Sequence, residues 1–331
     1  MKILIVRVGQ LGDMVMMTPA ILALLEKYPK AQFFILTSVE GKRVLRDFSP
    51  LIKDCWTYDR KTWFPPYTRY QLAKKINAEK FEYIYCFETN PSYKRLLKNA
   101  NCNVHGLYDI PLHSLSGHCA KFNYDFVNPG TNNPAYVKLF TNQTYRNRAE
   151  EILAQNGINK NDFVIAFHPS YSHLGKISVR AKQVALHKFW PVKSWATLAT
   201  LIQNAKPNHN IKIIMDLTPE DKKLGEEIVN ASNGVVKIII PERNFDRYKA
   251  TLERVDVLIT PDTGPMHIAA ALRTNIVALF SGKHPKQCGP HEPEAYVSIL
   301  RAEETDRPEL GISAISPESV FKACEQFLPR H

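Results

Sequence analysis

The stretch Val255–Phe280, VDVLITPDTGPMHIAAALRTNIVALF, decides the fold. Val255–Thr260 reads as a strand, because a near-continuous apolar run suits a parallel strand covered on both faces. Asp262, Thr263 and Gly264 form a turn. A helix starts near Pro265 and runs through Met266–Leu272, and Asn275–Phe280 is the next strand. Strand, helix and strand at this spacing make a βαβ unit, so the two strands are parallel.

The same alternation extends in both directions. Upstream it gives strands at Phe163–His168, Ile211–Leu217 and Val235–Ile240. Helices lie between them at Pro191–Gln203, Pro219–Val229 and Asp246–Arg254. A Pro at the first helical position is tolerated, since its missing N–H would be unpaired anyway. The last helix is Pro317–Phe327. The N-terminal half repeats the scheme, opening with the strand Lys2–Val8 (KILIVRV) and the tight turn Gly9–Asp13. A helix at Met14–Tyr28 and a strand at Gln32–Ser38 follow, then strands at Lys53–Tyr58 and Tyr83–Phe87. Helices at Tyr70–Ala78 and Tyr93–Asn99 alternate with these, and Asn103–Leu107 closes the first sheet. Between the halves, Pro111–Pro134 is less regular, and NPGTNNP at 128–134 is a strong loop signal. Tyr136–Asn156 reads as a helix leading into the second half. The expected architecture is α/β, with two tandem Rossmann-like, doubly wound domains at 1–150 and 151–331. Ligands of such sheets bind outside the carboxyl ends of the strands. Two such domains would hold the site in the cleft between them.

Composition narrows the function. The 331 residues are 44% hydrophobic and 23% charged, which are globular values. No apolar run approaches the roughly 20 residues of a membrane-spanning helix. The N-terminal run is short and broken by Arg7, unlike a signal peptide. Six scattered cysteines (Cys55, Cys86, Cys102, Cys119, Cys288 and Cys324) lack metal-type spacing and fit reduced thiols in a cytoplasmic protein. The formal charge is +11. Residues 1–150 carry 21 basic and 12 acidic side chains, and residues 151–331 carry 22 and 20. The excess therefore falls on the first half and points to an anionic partner there. No recognition motif or aromatic-plus-basic repeat supports nucleic acid as that partner.

Two turns carry the chemistry. In Val8-Gly-Gln-Leu-Gly-Asp13, two glycines let the backbone turn tightly and approach a ligand closely. The spacing is not G-x-G-x-x-G, and the Lys-Ser/Thr of a phosphate loop is missing. The turn places Asp13 at a helix N-terminus, where it either caps the helix or faces a ligand. In the second turn, backbone N–H groups at the start of the helix, the helix dipole and the Thr263 hydroxyl make an anion site. His267 in the first helical turn is either a hydrogen-bonded core histidine or a site residue.

Taken together, MKILIVRVGQLGDMVMMTPAILALLEKYP and VDVLITPDTGPMHIAAALRTNIVALF resemble the ADP-heptose:lipopolysaccharide heptosyltransferase family, glycosyltransferase family nine. The resemblance covers most of the chain. It implies a GT-B fold and an inverting glycosyltransferase that needs neither metal nor cofactor. The N-terminal domain would take the acceptor, and the C-terminal domain would take ADP-heptose. Asp13 would be the general base, with Gly12 beside it on the acceptor side. Thr263, Gly264 and Pro265 would cradle the phosphates, and His267 would join the donor site. Asp262 would contact the sugar or orient the site. In His187-Lys-Phe-Trp-Pro191, Lys188 matches the family's diphosphate lysine. Ser170, in His168-Pro-Ser-Tyr171, would bind phosphate or sugar. Glu220, with Asp221 close behind, would hold the ribose hydroxyls, and Arg243 or Asn244 would lie near the base.

One segment departs from the family pattern. SHLGKISVRAKQVALH at 172–187 is longer and basic, and reads as a mobile cleft loop. Lys176, Arg180 and Lys182 in it are the alternatives to Lys188 as the phosphate cation. On the acceptor side, Arg60 and Lys61 would meet the acidic sugar Kdo and its phosphates, with Arg69, Lys94 and Arg95 behind them. A guanidinium fork suits such anions. The implied partner is Kdo-lipid A or inner-core lipopolysaccharide, at the inner face of the inner membrane. Trp56, Tyr58, Trp63, Phe64, Tyr67 and Tyr70 could touch that membrane face. Competing readings are a same-fold transferase for another nucleotide sugar, a nucleotide-sugar-binding protein without activity, and a GT-B-like epimerase.

Overall fold

The computed structural model describes residues 1–59, 65–111, 117–171, 174, 178–205 and 210–329. The chain divides into two compact units, Met1–Val137 and Lys138–His331.

In the first unit the order is β1 (Lys2–Val6), α1 (Leu11–Val15), α2 (Thr18–Lys27), β2 (Gln32–Thr37), α3 (Val39–Val44) and β3 (Ile52–Thr57). There follow α4 (Pro65–Ala78), β4 (Tyr83–Cys86), α5 (Pro91–Leu97), β5 (Asn103–Gly106) and α6 (Cys119–Val127). The sheet is parallel throughout, with order β3-β2-β1-β4-β5. Strand β1 sits at its centre, and Ile3, Leu4, Ile5 and Val6 are fully buried. Helices on both faces leave no polar side to such a strand, which is why KILIV is apolar without alternation.

The second unit begins with α7 (Gln143–Gln155), β6 (Phe163–Phe167), α8 (Val179–Lys188), α9 (Val192–Ala205), β7 (Ile211–Asp216), α10 (Lys222–Ala231) and β8 (Val236–Ile239). It continues through α11 (Phe245–Arg254), β9 (Val257–Pro261), α12 (Gly264–Leu272), β10 (Asn275–Phe280), α13 (Pro285–Cys288), β11 (Val297–Arg301) and α14 (Pro317–Cys324). Its parallel sheet runs β11-β10-β9-β6-β7-β8. Trp190 and Trp195 anchor the core edge to face, 4.9 Å apart, and Trp190 donates its indole N–H to the Ile315 carbonyl at 2.9 Å.

In each sheet the strand order reverses beside the first strand, between β1 and β4 and between β6 and β9. Such reversals are where doubly wound sheets open a crevice for ligands. The turn after β1 and the turn after β9 both sit at these points.

The division between units lies before the expected 150/151 boundary, because α7 packs on α11. Arg146 pairs with Glu253 at 2.8 Å, and Arg254 with Glu150 at 3.1 Å. The basic segment expected to be a loop contains a helix, α8. Ser178 caps it by accepting the Ala181 N–H at 3.0 Å, and Ala181 is its buried residue. The single helix expected at Met14–Tyr28 is two helices. The Thr18 hydroxyl donates to the Val15 carbonyl at 2.7 Å at their junction, and Pro19 opens α2. Helices α3 and α6 and strand β11 are additions to the sequence reading.

Candidate active site

The first site is the turn after β1. Leu11 already begins α1, so Asp13 is its third residue and lies inside the helix. One Asp13 oxygen, Oδ2, accepts the Gln10 N–H at 2.9 Å. The other, Oδ1, accepts from Arg7 Nη2 at 3.2 Å. Arg7 also donates to the Phe87 carbonyl at 2.9 Å, which ties it to the end of β4. Asp13 therefore caps the helix and still exposes 37% of its side chain. Glu88, buried, accepts the Val8 N–H at 2.7 Å and clamps the two strand ends together. Gly9 is required by close approach, since a Cβ there would lie 2.5 Å from Asp13 Cβ. Ser38 donates its hydroxyl to the Gly9 carbonyl at 2.6 Å and fixes the loop from the other side. Gly12 lies in the first turn of α1. Arg7 and Glu88 were not singled out from sequence. Their signals are a charge interrupting KILIVRV and an acid directly after YIYCF.

The second site is the turn after β9. Thr263 is the N-cap of α12, followed by Gly264 and Pro265. The Thr263 hydroxyl meets that of Thr260 at 3.0 Å. Asp262 is mostly covered, and Lys188 pairs with its Oδ2 at 3.2 Å while also donating to its carbonyl. Lys188 and the start of α12 are thus brought together. A cation beside the first-turn N–H groups of a helix is suited to a diphosphate. His267 is buried, at 5% exposure.

Lys188 is the last residue of α8, and the preceding residue seats that helix. His187 Nδ1 meets the Ser281 hydroxyl at 2.9 Å, and Gly282 leaves room for the imidazole ring. Gly282 in turn donates its N–H to Glu303 Oε1 at 2.6 Å. Ser170, buried, follows β6, the strand next to β9. Tyr171 packs edge-on against Phe189, linking this segment to the end of α8. Burial pushes the neighbouring His168 down to about 4, so its ring is neutral.

Glu220 belongs to the end of β7, which β6 separates from β9 in the sheet. It follows β7 and forms an exposed ion pair with Arg243. Its own backbone N–H, then Arg243, hold its carboxyl below the usual range. Asp221 takes the Thr218 hydroxyl at 2.9 Å instead. Asn244 is occupied in capping α11, accepting the N–H groups of Asp246 and Arg247. Beneath them Asp216 and Arg247 form a buried pair, which was not apparent from sequence. Burial pushes the Asp216 carboxyl up to about 6, against the pull of Arg247.

Arg60, Lys61, Trp63, Phe64 and Lys176 lie outside the described residues. Trp56 does not meet the membrane expectation. It is buried against Phe34 and Phe81, with the Lys75 ammonium 3.9 Å from its ring. Tyr67 and Tyr70 are exposed. Arg180 and Lys182 lie on α8 and are exposed. With the observed boundary, the first unit holds 18 basic and 11 acidic side chains, and the second 25 and 21. Among the described residues, no helix is long and apolar enough to cross a membrane, and no cluster of three His, Cys, Asp or Glu is placed to hold a metal ion.

Known proteins give this arrangement a context. The family model of glycosyltransferase family 9 (heptosyltransferase) matches residues 132–315. The lipopolysaccharide core heptosyltransferase OpsX of Haemophilus influenzae is 28% identical over 127 residues, covering 38% of this chain and 35% of that protein. Lipooligosaccharide heptosyltransferase 2 of Campylobacter jejuni is 24% identical over 298 residues, covering 88% of this chain and 84% of its own. The structure of E. coli ADP-heptose LPS heptosyltransferase II matches with a TM-score of 0.76 at 16% identity, over 99% of this chain and 98% of that one. That likeness shows the shared fold, two Rossmann-like domains of the GT-B type. The family match spans more than half of the chain, and the chain belongs to glycosyltransferase family 9, the heptosyltransferases.

Proposed function

We propose that this glycosyltransferase moves a heptose from ADP-heptose to a hydroxyl of Kdo, or of a heptose already added, in the inner core of lipopolysaccharide. The reaction inverts the anomeric centre and uses no metal. Asp13 accepts the proton of the acceptor hydroxyl as that oxygen bonds to the anomeric carbon. The bond from that carbon to the diphosphate breaks, and its electron pair leaves with ADP. Arg7 and the Gln10 N–H orient the carboxylate while leaving it exposed enough to meet a substrate. Lys188, the first-turn N–H groups of α12 and the Thr263 hydroxyl stabilise the charge that grows on the departing diphosphate. Asp262 holds Lys188 in place, and Ser170 and His267 complete the donor side. Glu220 binds the ribose. Gly12, Arg60 and Lys61 face the acceptor, an anionic glycolipid. The enzyme works in the cytoplasm, peripherally on the inner face of the inner membrane.

The observation that carries this reading is the Lys188–Asp262 pair at the N-terminus of α12, a cation and a helix dipole at one turn. The relatives' names support the donor and the acceptor class. The test is an ADP-release assay with a panel of nucleotide sugars and Kdo-lipid A. Release with ADP-heptose, dependent on acceptor and unaffected by chelator, is expected. Preference for another nucleotide sugar would replace the donor. Binding of ADP-heptose without any turnover would favour a non-catalytic binding protein.

A further inference from the structure

The basic excess of the first unit is concentrated on two neighbouring helices. Helix α4 carries Arg69, Lys74 and Lys75, and α5 with its C-cap carries Lys94, Arg95 and Lys98. Neither helix contains an acidic residue. Of the nearby acids, Glu79 pairs with Lys2 at 2.8 Å, and Asp109 takes one of these six cations, Lys94, at 2.6 Å. Lys75 lies over Trp56. Among the described residues, Arg69, Lys74, Arg95 and Lys98 have no acidic partner.

The two helices pack together and leave a groove of about 290 Å³ between them. Its walls include Arg69, Tyr70 and Arg95, and its floor Ala73, Ile76 and Leu96. Tyr67 and Tyr70, one turn apart on α4, expose 60% and 65% of their surfaces. Side chains three or four apart share a helix face, so the two rings stand together with Lys74 on the next turn. Rings that are apolar with a polar tip, flanked by unpaired cations, match the headgroup layer of an anionic bilayer.

We propose that the α4–α5 surface docks on an anionic phospholipid bilayer. Tyr67 and Tyr70 enter the headgroup layer, and a lipid phosphate lies in the groove between Arg69 and Arg95. The proposal deepens the reading of a peripheral enzyme with a lipid-anchored acceptor and rests on it for its biological sense. Its test needs neither donor nor acceptor, so failure of one reading is separable from failure of the other. A single-stranded nucleic acid is the less suited occupant, because the groove floor of Ala73, Ile76 and Leu96 is aliphatic and the two rings stand on its rim, not along it.

The test is flotation of the full chain with vesicles of phosphatidylethanolamine and phosphatidylglycerol, and with pure phosphatidylcholine vesicles. Binding to the anionic vesicles alone, weakening as salt rises, is expected. Arg69→Gln/Arg95→Gln should weaken it about fivefold per cation removed. Tyr67→Ser/Tyr70→Ser, a second variant that leaves charge untouched, should also weaken it. Lys222→Gln/Lys322→Gln, which removes the same charge from exposed positions of the second unit, should bind as the parent does. Unchanged melting temperatures show that the variants fold. Equal loss in the control would make the effect one of net charge and overturn the proposal. So would full binding by both surface variants, displacement by glycerol 3-phosphate, or binding to polyuridylate but not to vesicles.

Discussion

Replacing Gly9 by alanine tests how tightly the fold specifies the position of the proposed base. The added Cβ would lie 2.5 Å from Asp13 Cβ and 3.1 Å from Oδ2. Unstrained carbon contacts are about 3.5–4.0 Å, so one side must move by about 1 Å. The loop is poorly placed to yield. The Gly9 carbonyl is held by the Ser38 hydroxyl at 2.6 Å, Ser38 also accepts the Gly41 N–H at 2.9 Å, and the Val8 N–H is bound to Glu88 at 2.7 Å. Asp13 is therefore the group that shifts, and its bonds to Arg7 and to the Gln10 N–H lengthen. A misplacement of about 1 Å at a reacting group costs on the order of a hundredfold in rate. Overpacking of this kind costs about 1–3 kcal/mol of stability. Steady-state ADP release should show kcat down about a hundredfold, with KM for ADP-heptose nearly unchanged because the donor turn lies on the other sheet. A folded Gly9→Ala protein with kcat within about threefold of the parent would refute the argument, since that is well under 1 kcal/mol of barrier.

Other substitutions probe the rest. Lys188→Ala removes the cation from the donor turn and leaves the mostly covered Asp262 carboxylate without it. Affinity for ADP, read by calorimetry, should fall by about ten- to a hundredfold, the value of a charge-assisted hydrogen bond. Unchanged affinity would transfer the role to Arg180 or Lys182. Glu292 is fully covered, and burial pushes its carboxyl up to about 9 although Arg273 lies 3.9 Å away. The native state therefore keeps a proton that the unfolded chain releases above about 4.5, and stability falls as pH rises from about 4.5 to 9. Glu292→Gln should remove that slope and stabilise the protein by about 4 kcal/mol at pH 7.5 at most. Parallel denaturation profiles for the two proteins at pH 5 and pH 8 would contradict this.

Much of the fold was legible because its central strands are buried on both faces. KILIV, VLITP and NIVALF have no polar face to confuse with a helix, and the turns after them carry Gly. What escaped was half-exposed. Strand β11, VSILR, is an edge strand of intermediate burial and has little pattern to read. Helix α8 buries only Ala181, so its basic, weakly amphipathic sequence resembled a loop, and the decisive signal was Ser178 at its cap. The candidate site was legible in part for the same reason. The turns announced Asp13, Asp262 and Thr263, because glycine and a strand end locate them. Arg7, Glu88 and His187 act through partners far along the chain, Phe87, Val8 and Ser281 respectively, and no local pattern encodes those contacts. Asp216 and Arg247 likewise meet only because β7 and α11 adjoin in the folded unit.

Asp13 is the residue on which the proposed transfer turns. Asp13→Ala should be measured for transfer from ADP-heptose to Kdo-lipid A, with product mass as the readout, and for ADP binding by calorimetry. Loss of transfer with donor affinity nearly intact is the predicted result. A variant that still turns over at a rate near the parent's would remove Asp13 from the role of base and with it the proposed mechanism.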